Sequence, residues 1–278
     1  MDYFLAFFLG IIQGLTEFLP VSSSGHLEIV KAIFNSDYEA KESLLMTVIL
    51  HFATSMSTLF IFKKEVFSII NSVFSKKKSN EKEFAIKIII SMIPAAIVGV
   101  FFEDIIETLF NGRLILVGIM LILTGFLLFL ADKSKENKND ISYLNSLIIG
   151  IAQAIAILPG ISRSGATIAT SVILGIDKTS SAQFSFLMVV PLIFGKVLKD
   201  IISGEVLTDS IAFGPLLIGF IAAFFTGLLA CKWMIKLVRA SKLKYFSYYC
   251  FIVALITIFW EIILSLIHIS EPTRRITI

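Results

Sequence analysis

The chain has 278 residues, of which 56% are hydrophobic and 16% charged, with a mean hydropathy of +0.90. A soluble domain of this length cannot hide so much apolar surface, because ordinary usage is nearer half apolar and a quarter charged, so the bilayer is the implied solvent. The net charge of +3 is small and its Lys residues sit in short loops, which argues against a nucleic-acid partner.

In chain order, the Met1-Asp2-Tyr3-Phe4 start lacks a basic n-region, and no cleaved signal peptide is expected. The first apolar region, Leu5–Phe34, is interrupted by P-V-S-S-S-G-H. Runs long enough to span, about 20 residues, then occur at Leu44–Phe62, Phe84–Phe102 and Leu114–Leu130. A second interrupted region, Leu144–Ile176, carries P-G-I-S-R-S-G and is followed by Phe184–Ile201, Ile211–Met234 and Phe246–Leu264. Pro, Gly and Ser lie in the middle of both interrupted regions, where a continuous helix would lose hydrogen bonds and meet the proline ring. Two half-helices joined by a turn fit better, provided protein or water covers the freed backbone groups. Cys231 and Cys250 are isolated in apolar stretches and suggest neither a disulfide framework nor a metal site.

The two breaks resemble each other. A shift of 140 positions matches Gly10 with Gly150, Ile11 with Ile151, Gln13 with Gln153, Ser22 with Ser162, Ser24 with Ser164 and Gly25 with Gly165. One hairpin plus three crossings, repeated, places the second copy upside down in the membrane. The expected fold is therefore an all-α polytopic membrane protein of six spanning helices plus two re-entrant helical hairpins arranged as an inverted repeat. It forms one membrane domain over residues 1–264, with repeats at about 1–131 and 141–264. The basic loops Lys63–Lys82 and Lys232–Lys244 should be cytoplasmic, and the net acidic loops Glu103–Arg113 and Lys199–Asp209 external. The first hairpin then opens outward and the second toward the cytoplasm, with both termini outside. Residues 265–278 turn polar and are expected to be a disordered, non-native tail, so His268 is left out of the site.

The chemistry concentrates in the breaks. Gln13 and Glu17 are four apart and share a helix face, which brings a carboxylate to Ser22, Ser23, Ser24, Gly25 and His26. In the second break Ser162, Ser164 and Thr167 surround Arg163, just after Pro159-Gly160. Half-helix N-termini present free N–H groups and a positive dipole end, so two of them meeting make an anion site. Arg163 adds a permanent charge and a fork suited to phosphate oxygens. A bare Arg in the bilayer is costly and needs a partner, for which Glu17 at rest is the candidate. Each Ser alone reads more simply as a packing residue, and His51 reads equally as an interhelical hydrogen bonder or a functional group. Glu28 and Lys31 are spaced to pair.

Q-G-L-T-E-F-L-P-V-S-S-S-G-H together with P-G-I-S-R-S-G-A-T strongly resembles the bacterial undecaprenyl-diphosphate phosphatases, the bacitracin-resistance family, over nearly the whole chain. The resemblance implies release of the terminal phosphate of a polyprenyl diphosphate lipid, which recycles the carrier for peptidoglycan and cell-wall synthesis and confers bacitracin resistance. It also implies an inner (plasma) membrane location, an active site facing the external or periplasmic side and a divalent cation, Mg²⁺ or Ca²⁺. It places catalytic roles on Glu17, His26, Ser23 and Arg163. Phosphate contacts fall to Ser22, Ser24, Gly25, Gly160, Ser162, Ser164 and Thr167, and cation binding to Glu17 and Gln13. Many members carry Glu where this chain has Gln13, which weakens a two-carboxylate cation site. His26, Ser23 and a directly activated water all remain open as the attacking group, and a homodimer remains open as an assembly. The alternative is a lipid-phosphate flippase or transporter with the same repeated plan. An ion channel is disfavoured by the lack of a filter-like run.

Overall fold

The computed structural model describes residues 2–34, 40–75, 79–109, 113–134, 139–202, 213–240 and 242–270. Among these residues the regular elements are twelve helices, and extended backbone pairs only at one isolated bridge, Asn139 with Ile176.

Helix α1 (Tyr3–Phe18) stops because Pro20 follows. The residue before a proline is pushed out of the helical region, and Leu19 has φ −71° and ψ 140°. Helix α2 (Ser23–Ile33) restarts at once, capped by Ser22. Helices α3 (Ala40–Ile61), α4 (Lys63–Phe74), α5 (Asn80–Phe101), α6 (Glu103–Leu109) and α7 (Leu114–Lys133) complete the first half. The second half repeats the order without counterparts of α4 and α6 among the described residues: α8 (Tyr143–Ile155), a break, α9 (Arg163–Ile173), then α10 (Lys178–Ile202), α11 (Phe213–Arg239) and α12 (Leu243–Ser270).

Among the described residues five helices are long and apolar enough to cross a membrane, namely α5, α7, α10, α11 and α12. A sixth is added if α3 and α4, bent by 84° at Phe62, count as one span. Their outer faces carry bare apolar side chains, such as Ile89, Phe225 and Leu255, a surface stable in lipid but not in water.

Several expected boundaries change. The Lys63–Lys82 loop contains the helix α4, whose Phe67, Ile70, Val73 and Phe74 are all exposed. A helix this short, with its apolar residues on one side, falls below the length of a membrane span. The Glu103–Arg113 loop contains α6. Helix α11 runs to Arg239 and α12 begins at Leu243, so the expected basic loop Lys232–Lys244 is mostly helical. Basic side chains do not break a helix; they only leave the apolar zone. Helix α12 also passes the expected end at Leu264 and reaches Ser270, since extending a helix costs far less than starting one. Residues 203–212 and 271–278, which hold most of one expected loop and of the tail, lie outside the described residues.

Packing exchanges between the halves. Helix α1 packs on α11, and its counterpart α8 packs on α5, while α7 and α12 lie against each other. Small residues make the first two contacts possible. A Cβ on Gly10 would come within 2.4 Å of the Gly219 carbonyl oxygen, and one on Gly150 within 2.4 Å of the Ser91 carbonyl oxygen. The matched glycines thus do the same work in the two halves, letting backbones touch.

Candidate active site

The two breaks meet. A Cβ on Gly25 would lie 3.2 Å from Cα of Gly160, and one on Gly165 would lie 3.3 Å from Cβ of Pro20. Adding 140 turns Gly25 into Gly165 and Pro20 into position 160, so the two contacts are one contact repeated by exchange of halves. Ser164 Oγ also donates to the Leu19 carbonyl across the junction at 3.3 Å.

Each break is built alike. Ser22 Oγ accepts from Gly25 N at 3.1 Å and Ser162 Oγ from Gly165 N at 3.0 Å, the side-chain caps that helix N-termini need. Ser24 and Ser164 each reach their cap hydroxyl at 3.3 Å. Ser22 holds the left-handed φ of 70°, a conformation that costs a non-glycine residue energy and tends to mark functional turns. In the second break Gly160 takes φ +95°, and a Cβ there would lie 2.5 Å from the Val117 carbonyl oxygen of α7. Thr124 of α7 braces this turn, accepting from Ser162 N at 3.0 Å and donating to the Gly160 carbonyl at 3.4 Å.

Glu17, at the last turn of α1, sits where the breaks meet. Arg163 Nη2 donates to Glu17 Oε1. Glu17 Oε2 accepts from Gln13 Nε2 at 2.9 Å and from Ser23 Oγ at 2.7 Å, and His51 Nε2 stands 3.7 Å away. The carboxylate and guanidinium are both largely buried, at 7% and 17% side-chain exposure, so each is the other's main source of stabilisation in a low-dielectric setting. Arg163 Nη1 also donates to the Ser185 carbonyl at 3.4 Å. That leaves part of its fork of five donors for another oxygen. The arrangement can hold an anion between Arg163 and two helix N-termini, with a serine hydroxyl already bonded to a carboxylate.

The other sequence-selected residues divide by what their atoms already do. The hydroxyls of Ser22 and Ser162 are spent as caps, with both residues buried. Thr167 donates to the Arg163 carbonyl at 2.8 Å and shares a 2.6 Å contact with Ser185 Oγ. Gly25, Gly160 and Gly165 allow the close approach. These residues shape the place where the breaks meet, and the N–H groups of Gly25, Gly165 and Ser162 are themselves already donating, to Ser22, Ser162 and Thr124. His26 is placed differently from Glu17 and Arg163. Its Nδ1 lies 2.7 Å from the Ser22 carbonyl oxygen, and its Nε2 lies 2.8 Å from the Tyr249 hydroxyl of α12. Lys31 and Glu28 pair with each other at 3.0 Å.

Of four further contributors, Tyr249, Thr124 and Ser185 do not stand out in the sequence, whereas His51 does, as either an interhelical hydrogen bonder or a functional group. His51 carried the signal of an ionisable residue in a span. Tyr249, Thr124 and Ser185 carried none, because an isolated hydroxyl in an apolar run has many packing uses.

The donor set can be tested for a divalent cation. Among the described residues no three His, Cys, Asp or Glu side chains come together as a metal site. Gln13 Oε1, however, is a buried oxygen with no hydrogen-bond partner. With Glu17 it supplies one or two hard oxygens, which suits a cation that takes most of its ligands from phosphate.

The family model described as bacitracin resistance protein BacA matches residues 6–256. The undecaprenyl-diphosphatase of Christiangramia forsetii is 60% identical over 258 residues, covering 93% of this chain and 98% of that protein. The one from Bacteroides fragilis is 50% identical over 262 residues, with 93% and 98% covered. The one from Methanococcus vannielii is 45% identical over 255 residues, with 91% and 98% covered.

Proposed function

The chain belongs to the bacitracin resistance protein BacA family, and from that premise we propose that it is a membrane phosphatase converting undecaprenyl diphosphate to undecaprenyl phosphate and inorganic phosphate. The single observation that carries this is the Ser23 hydroxyl, 2.7 Å from the Glu17 carboxylate that Arg163 holds from the other side. A serine bonded to a base, next to a fixed cation and two helix N-termini, is the equipment of phosphoryl transfer. A carrier that only binds an anion needs the donors but not the base.

In this reading the prenyl tail stays in lipid and the diphosphate enters between the breaks. The terminal phosphate takes the free part of the Arg163 fork, and the N–H groups at the starts of α2 and α9 face its oxygens. Ser23 Oγ attacks the terminal phosphorus while its proton passes to Glu17. The bond from phosphorus to the bridging oxygen breaks, and undecaprenyl phosphate leaves with that oxygen. Water then attacks the phosphoserine, giving one proton to the site and releasing inorganic phosphate, and Ser23 regains its hydrogen. Fixed charges aimed at the phosphoryl oxygens are the largest contribution. Gln13 and Glu17 would hold the Mg²⁺ or Ca²⁺, which when bound supplies further charge neutralisation on the diphosphate.

The wider reading follows from the family. The two halves form an inverted repeat with two re-entrant hairpins and the site faces the outside of the plasma membrane. The product feeds the lipid carrier back to peptidoglycan synthesis, and activity raises resistance to bacitracin. The exchange of contacts between halves supports the repeat.

The test is phosphate release from undecaprenyl diphosphate by the purified protein in detergent with Mg²⁺ or Ca²⁺. Terminally labelled substrate should leave label on the peptide containing Ser23. Label on His26 would make the imidazole the nucleophile in place of Ser23, and solvent oxygen entering phosphate without any labelled enzyme would point to direct attack by water. No phosphate release, with lipid binding still lost in Arg163→Ala, would sink the enzyme and favour a transporter.

A further inference from the structure

Tyr249 lies on α12, far along the chain from either break, yet it makes two contacts with His26. Its hydroxyl is 2.8 Å from His26 Nε2. The two rings also stack, with centroids 5.7 Å apart and planes 9° from parallel. Helix α12 is held in place by neighbours on both sides of this residue, one against α7 and one against the first break. Ser247 Oγ donates to the Gly125 carbonyl of α7 at 2.7 Å, and the Cys250 thiol points at the Pro20 carbonyl oxygen at 3.6 Å. The phenol is therefore delivered to His26 by a fixed helix and not by a loose side chain.

The hydrogen-bond roles follow from the partners. The Ser22 carbonyl can only accept, so His26 Nδ1 carries the hydrogen. In the neutral ring Nε2 is then an acceptor, and the Tyr249 hydroxyl donates to it. Both ring nitrogens are thus occupied, and the one lone pair that could attack phosphorus is covered.

We propose that Tyr249 is a positioning residue for the reaction: it holds the His26 imidazole in one orientation and one tautomer, with Nε2 bonded to the phenol, so that His26 serves the site from a fixed pose and is not the nucleophile. The proposal rests on the phosphatase reading. It adds a residue from the last helix to a site otherwise built from the two breaks, α3, α7 and α10.

Tyr249→Phe deletes the hydroxyl and keeps the stacked ring, so the fold should survive, which thermal unfolding in detergent checks. Two readouts then decide. The first needs no catalysis: carbethoxylation of His26 by diethyl pyrocarbonate, followed by peptide mass spectrometry, with the His51 peptide as internal reference. Freed of its donor, His26 Nε2 should react several-fold faster in Tyr249→Phe, while the His51 rate stays put. The second is kinetic: kcat should fall about tenfold, the equivalent of one neutral hydrogen bond, with KM little changed. Unchanged His26 reactivity would overturn the hydrogen bond, and unchanged kcat would overturn its use in the reaction. A rise in KM alone would make Tyr249 a substrate contact and likewise overturn the proposal. Should the wild-type protein release no phosphate, the phosphatase reading fails and takes the role in the reaction with it, while the His26 reactivity comparison still decides the contact.

Discussion

At the scale of single residues the site turns on Glu17. One carboxylate takes Arg163 on one oxygen and Gln13 and Ser23 on the other. Removing it outright leaves a buried guanidinium without its partner, which costs about 3–5 kcal/mol, so Glu17→Ala confounds folding with chemistry. Glu17→Gln is the milder change: its amide oxygen can still accept from Arg163 while its NH2 turns to the Ser23 hydroxyl, but it carries no charge and is no base. It should lower the melting temperature less than Glu17→Ala does, since the guanidinium keeps a hydrogen-bond acceptor, and lower kcat by roughly 10²–10⁴-fold, the range for a lost acid–base group, measured as phosphate release. Arg163→Lys keeps a charge but loses the planar fork. It should still lower kcat/KM by about 10²-fold or more, as loss of an oriented oxyanion donor does. Gln13 offers a separate test, since its Oε1 is buried without a partner. Chelation of divalent cations should depress turnover, and Gln13→Ala should raise the Mg²⁺ concentration needed for half-maximal rate. A Mg²⁺ titration identical to wild type would remove Gln13 from that role.

At the scale of elements the two broken helix pairs do unequal jobs with the same parts. Both restart on a Ser cap that accepts from a Gly three residues on. The first carries the strained Ser22 and the acid, while the second carries Arg163 and the tightly packed Gly160 turn. Gly160 needs its missing side chain twice, for its φ of +95° and for the Val117 carbonyl beside it. Gly160→Ala should therefore destabilise the protein by roughly 3 kcal/mol, the sum of a left-handed alanine and an overpacked contact. That predicts a clear drop in melting temperature in detergent, together with loss of phosphate release as Arg163 moves. A variant that melts like wild type would show that the turn relaxes freely. Helix α4 belongs to this scale too. Its bare apolar side chains and its 84° bend from α3 suit a helix lying along the membrane surface.

At the scale of the whole molecule, the orientation inferred from basic residues can be checked from outside the cell. In variants that each add one cysteine, an impermeant maleimide should label Arg113→Cys, after α6, and spare Asn80→Cys, which follows α4. The native Cys231 and Cys250 are both buried and should stay silent. The reverse labelling pattern would turn the molecule over and place the site on the cytoplasmic side. Composition and run length were enough to show a helical membrane protein, because an apolar stretch in lipid has little choice but to satisfy its own backbone. The positions of both breaks were also legible, since Pro20 and Gly160 act on the backbone locally. So were the candidate acid and cation, as charged residues in an apolar run need a reason to be there. The short helices α4 and α6 and the true ends of α11 and α12 were not, because short helices fall below the length of a span and a basic stretch between spans can remain helical. What only the tertiary structure decided is which atoms face each other. It brought Ser23 to Glu17, turned His26 toward Tyr249, and set His51 beside the carboxylate. Those pairings depend on how α1, α2, α3 and α12 pack, and close packing is set by the shapes of all the contacting faces at once, which no local pattern of residues encodes.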